Sequence, residues 1–170
     1  MQLNHYNSTF KKQKFPITLI CDGVTNAPNI GSLFRVSDAL GVEELIFCGD
    51  NVQLGKRIKK TSRSTEKYVP HRIETDILAV ISDLKRKNYF VIALEITDTS
   101  IRLNDYELNT NRPVALIVGN ENFGISEAVL KLTDATVHIN MFGENTSMNV
   151  VQATSIALYE LIKQLQNNNH

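Results

Sequence analysis

Val137-His-Ile-Asn-Met-Phe-Gly-Glu-Asn-Thr-Ser-Met-Asn-Val-Val-Gln-Ala153 joins a short β-branched run to a polar loop at Gly143, Glu144, Asn145 and Thr146, then to the longest amphipathic helical pattern in the chain. Loops between the carboxyl end of a strand and the amino end of a helix are where open α/β sheets hold ligands. Ser147 and Asn149 sit at this junction, and packing requires neither. The spacing predicts a strand over Ala135 to Ile139. It also predicts a helix from Thr146 to about Leu165 that buries Val150, Ala153, Ile156, Ala157, Leu158 and Leu161.

The rest of the chain repeats this alternation. Short apolar runs at Ile17 to Asp22, Glu44 to Cys48, Tyr89 to Ile96 and Val114 to Gly119 read as strands, the first two closed by Gly23 and Gly49. Between them, Asn29 is placed to cap a helix carrying Ile30, Leu33, Phe34 and Leu40 on one side, with Gly41 as terminator and Asn29, Ser32 and Arg35 as a polar strip. Thr75 to Asn88 reads as a second helix with Ile77, Leu78, Ile81 and Leu84 on its apolar face, and Ser126 to Leu132 as a short third one. Strands alternating with helices imply an α/β fold: a three-layer, mostly parallel sheet with helices on both faces. Periodicity fades between Gln53 and Pro70, a stretch that carries Lys56, Arg57, Lys59, Lys60, Arg63 and Lys67 against Glu66 alone. One domain over residues 16–165 is expected, with a mobile arm at 1–15 and a polar tail at 166–170.

Eighteen acidic and eighteen basic residues in a chain of 170 give no net charge, so any nucleic-acid footprint must be local, and the Lys56 to Lys67 stretch is the place for it. Cys21 and Cys48 lie in or beside apolar runs, as buried reduced thiols of a cytosolic protein do. No signal-peptide pattern or apolar run of about 20 residues is present, so a soluble cytoplasmic protein without a membrane partner is expected. His5, His71, His138 and His170 form no cluster with metal-ligand spacing, and no metal is expected.

Three segments combine strand ends, glycines and polar side chains that a core would not select. Asn29-Ile-Gly-Ser-Leu-Phe-Arg35 opens a helix, where a phosphate or carboxylate is readily received. Leu116-Ile-Val-Gly-Asn-Glu-Asn-Phe-Gly124 places Glu121 between two asparagines at a strand's carboxyl end. It is neither a dinucleotide fingerprint nor a P-loop. The third is the 137–153 stretch itself, which lacks the Gly-x-Ser-x-Gly of a serine hydrolase.

Taken in order, these segments resemble the three motifs of the SpoU-type, TrmH-like branch of the SPOUT RNA methyltransferases. Asn29 with Arg35 resembles the first motif and Gly119 to Gly124 the second. Met141 to Val150, running on to Ala157-Leu-Tyr-Glu160, resembles the third. The resemblance implies 2′-O-ribose methylation of structured RNA with S-adenosylmethionine as methyl donor, a homodimer, and a carboxyl-terminal segment threaded into a deep trefoil knot. It implies that Leu94, Gly119, Ile139, Met141, Ser147 and Met148 line the donor, and that Asn29, Arg35, Glu121, Ser147 and Asn149 surround the reacting ribose. Transfer RNA is the first expected substrate and ribosomal RNA the alternative. Two positions depart from the family pattern: Asn140 stands where proline is usual, and Arg63 where glycine is frequent.

Methyl transfer to a hydroxyl depends on positioning and on stabilising a developing alkoxide. A guanidinium gives up its proton very reluctantly, so Arg35 is read as an anchor for the adjacent phosphate and an electrostatic stabiliser, with Ser147 or a water relaying the proton. Arg35, Lys56, Arg57, Lys60 and Arg63 are the expected RNA contacts. Two other readings stay open on sequence alone: a non-catalytic RNA-binding dimer, and a flavodoxin-like nucleotide or flavin protein.

Overall fold

The computed structural model describes residues 10–167; the expected arm from 1 to 9 and the tail from 168 to 170 lie outside the described residues. The elements run β1 (Phe15–Asp22), α1 (Ala27–Ala39), β2 (Val42–Cys48), α2 (Lys56–Ser62), β3 (His71–Glu74), α3 (Ile77–Arg86) and β4 (Phe90–Leu94). They continue with β5 (Ile101–Arg102), β6 (Val114–Val118), α4 (Glu127–Leu130), β7 (Ala135–His138) and α5 (Val150–Asn167). The strands form one sheet in the order β3-β2-β1-β6-β4-β7-β5, and every described pairing is parallel. No described helix is long and apolar enough to cross a membrane.

Alternation along the central strands builds two cores. Ile17, Leu19, Cys21, Leu45, Phe47, Ile92, Leu116 and Val118 face one layer, formed with Ile30, Leu33 and Phe34 of α1, Ile58 of α2, and Ala157, Leu158 and Leu161 of α5. Ile20, Ile46, Cys48, Val91, Ala93, Ala115 and Ile117 face the other, formed with Val80, Ile81 and Leu84 of α3 and Val129 of α4. Strands covered on both faces must be apolar throughout, which is why they read as continuous runs. Both cysteines are buried free thiols. Burial pushes the Cys48 thiol up to about 12, with the nearby Asp22 and Glu74 carboxylates adding to the effect, so it stays protonated at neutral pH.

Several boundaries differ from the sequence reading. The first strand begins at Phe15, not Ile17. Phe15 is buried and its N–H donates to Gly41 O at 2.8 Å, while the register shifts around Pro16, which has no N–H to offer. Helix α1 starts at Ala27 under Asn26, whose side chain accepts from Asn29 N at 3.2 Å; Asn29 is therefore inside the first turn and is not the cap. Helix α5 starts at Val150, because residues 146–149 remain loop, and it runs to Asn167. Its buried side includes Thr154, Ile162 and Leu165, whereas Ile156 is 44 % exposed and Ala153 only half-buried. Leu78 on α3 is likewise exposed, its place on the buried face taken by Val80.

Two strands escaped the sequence reading, β3 and β5, and both are sheet edges. His71-Arg-Ile-Glu74 is held by pairing with β2 and by Arg72, which bridges Glu44 at 2.8 Å and Glu74 at 3.1 Å. Charged, half-exposed edges carry little hydrophobic signal.

The aperiodic basic stretch also folds, as α2 followed by a 3-10 turn at Thr65–Lys67. Its seat on α1 is Gly31, where an added Cβ would lie 2.0 Å from Thr61 Oγ1, 2.8 Å from Thr61 Cβ and 2.9 Å from Ile58 O. Rotating Thr61 relieves the first contact and not the other two, so alanine would push the helices apart. Alanine in a helix interior gains about 1 kcal/mol over glycine, while overpacking costs about 1–3 kcal/mol. Gly31→Ala is therefore expected to be a net loss, read as a lower urea midpoint and faster amide exchange in residues 58–62. An unchanged midpoint would contradict this packing.

Candidate active site

The carboxyl ends of β4, β6 and β7 and the amino end of α5 enclose a cavity of about 430 Å³. Leu94, Gly119, Ile139, Met141, Ser147 and Met148, the six positions expected at the methyl donor, all stand on its wall, and Glu121 joins them. They meet because β6 lies between β1 and β4, with Val118 in register with both Cys21 and Leu94, and because β7 pairs with β4 on its other side. Parallel strands deliver their outgoing loops to one edge of the sheet, so segments distant in sequence share one crevice.

The turn after β6 is built by close contacts. Gly124 N donates to Asn120 O at 2.8 Å, and Asn120 Oδ1 accepts from Asn122 N at 2.8 Å. Asn120 Nδ2 reaches Gly23 O, 2.7 Å away in the loop after β1. A Cβ on Gly119 would come within 2.5 Å of Gly124 C and 2.8 Å of Ile125 N, backbone atoms that cannot swing aside. Gly124 has φ +63°, and a Cβ there would meet Glu95 Oε2 at 2.5 Å. Both glycines are thus dictated by geometry, Gly124 by its positive φ and Gly119 by crowding alone.

At the rim, three polar residues from three segments are bonded together. Asn29 Nδ2 donates to Glu121 Oε1, and Asn149 Nδ2 donates to Asn29 Oδ1 at 3.2 Å. Asn149 Oδ1 in turn accepts from Val151 N at 2.9 Å and so starts α5. The contacts span 92 and 120 residues of chain, and they join the cavity through Glu121. Ser147 is exposed on the cavity wall.

Arg35 stands apart. It is exposed on α1, is not on the cavity wall, and makes no hydrogen bond or ion pair with the described residues. The first motif therefore brings Asn29 to the site and leaves its arginine outside. Lys56 and Arg57 lie in the first turn of α2; Lys59, Lys60 and Arg63 are exposed on or just after that helix. Glu66 is tied back by the Ser62 hydroxyl, a bond that also holds its carboxyl below the usual range, so it leaves Lys60 and Arg63 uncompensated. Arg63 closes α2 in the left-handed region at φ +50°, the conformation in which glycine is at home, and this accounts for the glycine frequent at this position in the family pattern.

Sequence reasoning passed over Glu95, Thr97 and His138, which also line the cavity. Glu95 accepts from Ile96 N at 2.9 Å and Ile125 N at 2.8 Å, pinning the β4 exit to the turn after β6. An acidic residue ending an apolar run was the available signal. Thr97 Oγ1 is buried and has no hydrogen-bond partner among the described residues. His138 lies 2.9 Å from Ser100 Oγ and 3.1 Å from Asn140 Oδ1. The residue that replaces the usual proline therefore supplies a bond that proline could not make.

A second concavity of about 920 Å³ runs along the other side of α5, between Val36, Ala39 and Leu40 of α1 and Ile156 and Tyr159. Phe142, on its edge, is 94 % exposed and Tyr159 is 66 % exposed.

Known proteins share this fold. The chain is 29 % identical over 163 residues to the 23S rRNA (guanosine-2′-O-)-methyltransferase RlmB of Blochmanniella floridana, covering 95 % of this chain and 63 % of that one. It spans less than two thirds of the length of this and similar curated relatives. The solved A. aeolicus TrmH/SpoU tRNA modifying enzyme superposes with a TM-score of 0.82 at 24 % identity, over 93 % of this chain and 79 % of that one. The SpoU methyltransferase AviRb from Streptomyces viridochromogenes, solved in complex with AdoMet, superposes with a TM-score of 0.78 at 24 % identity, over 96 % and 65 %. The model of the SpoU rRNA Methylase family matches residues 16–159, nearly the whole of the sheet and its site loops, and on that match the chain belongs to the SpoU rRNA Methylase family.

Proposed function

We propose that this protein methylates the 2′ oxygen of a ribose in structured RNA, with S-adenosylmethionine as the methyl donor. The observation that carries the reading is the meeting of one cavity, lined by all six expected donor positions, with the bonded Asn29, Glu121 and Asn149 at its rim. The cavity fits such a donor. Its volume falls among small-molecule sites; Leu94, Ile96, Ile139, Met141 and Met148 offer apolar surface, and Thr97 Oγ1 is a buried hydroxyl in want of a partner. The Glu121 carboxylate complements a cationic ligand.

When bound, S-adenosylmethionine supplies an electrophilic methyl group and leaves as a neutral thioether. The protein's own part is placement. Asn29, Glu121 and Asn149 orient the ribose, their mutual bonds holding them ready before substrate arrives. Ser147, or a water in its place, relays the hydroxyl proton, its own proton passing to solvent as the ribose proton arrives. Arg35 holds the neighbouring phosphate and stabilises the developing alkoxide.

Because Arg35 lies outside its own cavity, we infer that it serves the cavity of a second copy. The apolar concavity beside α1, with Phe142 and Tyr159 exposed at it, is the seat of that homodimer, and Arg35 stands one residue before Val36 on its border. We further infer the deep trefoil knot. Strand β7 enters the sheet between β4 and β5, which precede it in the chain, and Gln164 of α5 holds the β5–β6 connection through Tyr106 O at 2.9 Å and Leu108 N at 2.7 Å. Stretching the protein by its two ends in an optical trap should give a contour length shorter than that of an unknotted chain; full extension would remove the knot.

Transfer RNA is the first substrate to test. Ribosomal RNA, the substrate in the name of RlmB, is the alternative. Mapping ribose methylation in total RNA with and without the gene separates them, and no lost methyl group in either RNA would overturn the reading. Arg35→Ala is expected to lower turnover by roughly 10²–10³ while donor binding, measured by calorimetry, stays nearly intact. Glu121→Ala is expected to be similarly impaired. Equal mixing of the two variants should restore about a quarter of wild-type activity, since half of the symmetric dimers then carry one intact composite site. No recovery would place Arg35 with its own cavity.

Helix α2 supplies phosphate contacts. A Lys60→Ala, Arg63→Ala variant is expected to weaken RNA binding and to flatten the slope of log affinity against log salt by about 1–2. An unchanged slope would remove α2 from the interface.

A further inference from the structure

Phe123 is 88 % exposed, yet it sits in a turn held by several hydrogen bonds and lines the cavity. A lone exposed aromatic on a surface loop is ordinary. This one differs because its backbone is clamped on both sides. Asn122 N is held by Asn120 Oδ1, Gly124 N by Asn120 O, Ile125 N by Glu95 Oε2, and Asn120 Nδ2 anchors the turn to Gly23. The ring has no aromatic neighbour among the described residues, while Phe34 and Phe47 in the core pair with each other. Rigid backbone below a bare ring makes a fixed apolar face that projects into solvent.

Its position narrows what that face is for. Phe123 follows Glu121 by two residues, so their Cα atoms are at most about 7.6 Å apart, and Glu121 is the member of the Asn29–Glu121–Asn149 cluster that reaches the cavity. Phe123 and Glu121 line the same cavity, so a flat apolar face stands beside a ribose-binding group as a base stands beside its sugar. Bases unstacked from an RNA find aromatic side chains as replacement partners.

We propose that the Phe123 ring is a stacking face for a nucleobase of the RNA, at or next to the nucleotide whose ribose enters the cavity. Stacking accepts any base, so the ring contributes affinity and placement while base identity is read elsewhere. This rests on the RNA-methylating reading above and names how that site holds its substrate.

The test compares Phe123→Ala, Phe123→Leu, Phe123→Tyr and Phe123→Trp. Since the side chain is almost wholly exposed, all four should melt with the wild type, and light scattering should report one oligomeric state. Phe123→Ala and Phe123→Leu should lose kcat/KM for RNA by roughly ten- to hundredfold, chiefly through KM. Tyr and Trp should restore most of it, because they keep a π face and leucine does not. Donor affinity by calorimetry should change far less than kcat/KM in all four. Leucine at wild-type kcat/KM, or a loss that falls on donor affinity or on oligomeric state, overturns the stacking face while leaving the methyltransferase reading in place. A wild-type chain that transfers no methyl group to RNA overturns both.

Discussion

The register of three parallel strands, β1, β6 and β4, is the constraint on which the site depends. Val118 is aligned with Cys21 on one side and Leu94 on the other, so the loops that follow Asp22, Val118 and Leu94 leave the sheet side by side. Asn120 can then bond to Gly23, and Glu95 can take the Ile125 amide, only because those strands end together. A one-residue slip would turn every buried side chain of β6 to the opposite layer. Both cores forbid it, since Val114, Leu116 and Val118 fill one layer, and Ala115 and Ile117 the other. The hydrophobic effect thus sets the alignment, and the alignment sets the polar contacts.

Charge is distributed in keeping with this architecture. A chain with no net charge keeps its uncompensated cations on α2, bound to α1 through the Gly31 contact and so near the helix that carries Asn29 and Arg35. Several cations on the sheet edges and outer helices are engaged instead. Arg72 is held by Glu44 and Glu74 on the β3 edge, and Lys85 by Asp134 between α3 and β7. An overall neutral molecule can therefore offer a local basic face without attracting nucleic acid over its whole surface.

The two glycines of the second motif and the asparagines around them show how a short degenerate pattern becomes specific. Gly119 is required because a Cβ would strike the backbone of Gly124 and Ile125, and Gly124 because its φ is positive and Glu95 crowds it. Glu121 is left free of these structural duties, and its bond to Asn29 belongs to the site. The same division holds in the third motif, where Asn149 starts a helix with its oxygen and reaches Asn29 with its nitrogen.

Sequence alone determined the alternation of strands and helices, the buried runs of β1, β2, β4 and β6, and the three polar segments whose residues meet at the candidate site. Each depends on short-range pattern: periodicity, glycines and caps. It did not reveal β3, β5 or α2. The first two are exposed edge strands made by pairing with a neighbour, and α2 takes its place from a contact with Gly31 that lies about 27 residues back along the chain. Nor could it separate Asn29 from Arg35, six residues apart on one helix, although the fold turns one into the cluster and leaves the other exposed and off the cavity wall. Only the tertiary structure decided that, because which face of a helix meets a cavity is set by what the sheet brings opposite it, and no local pattern encodes the far side of that contact.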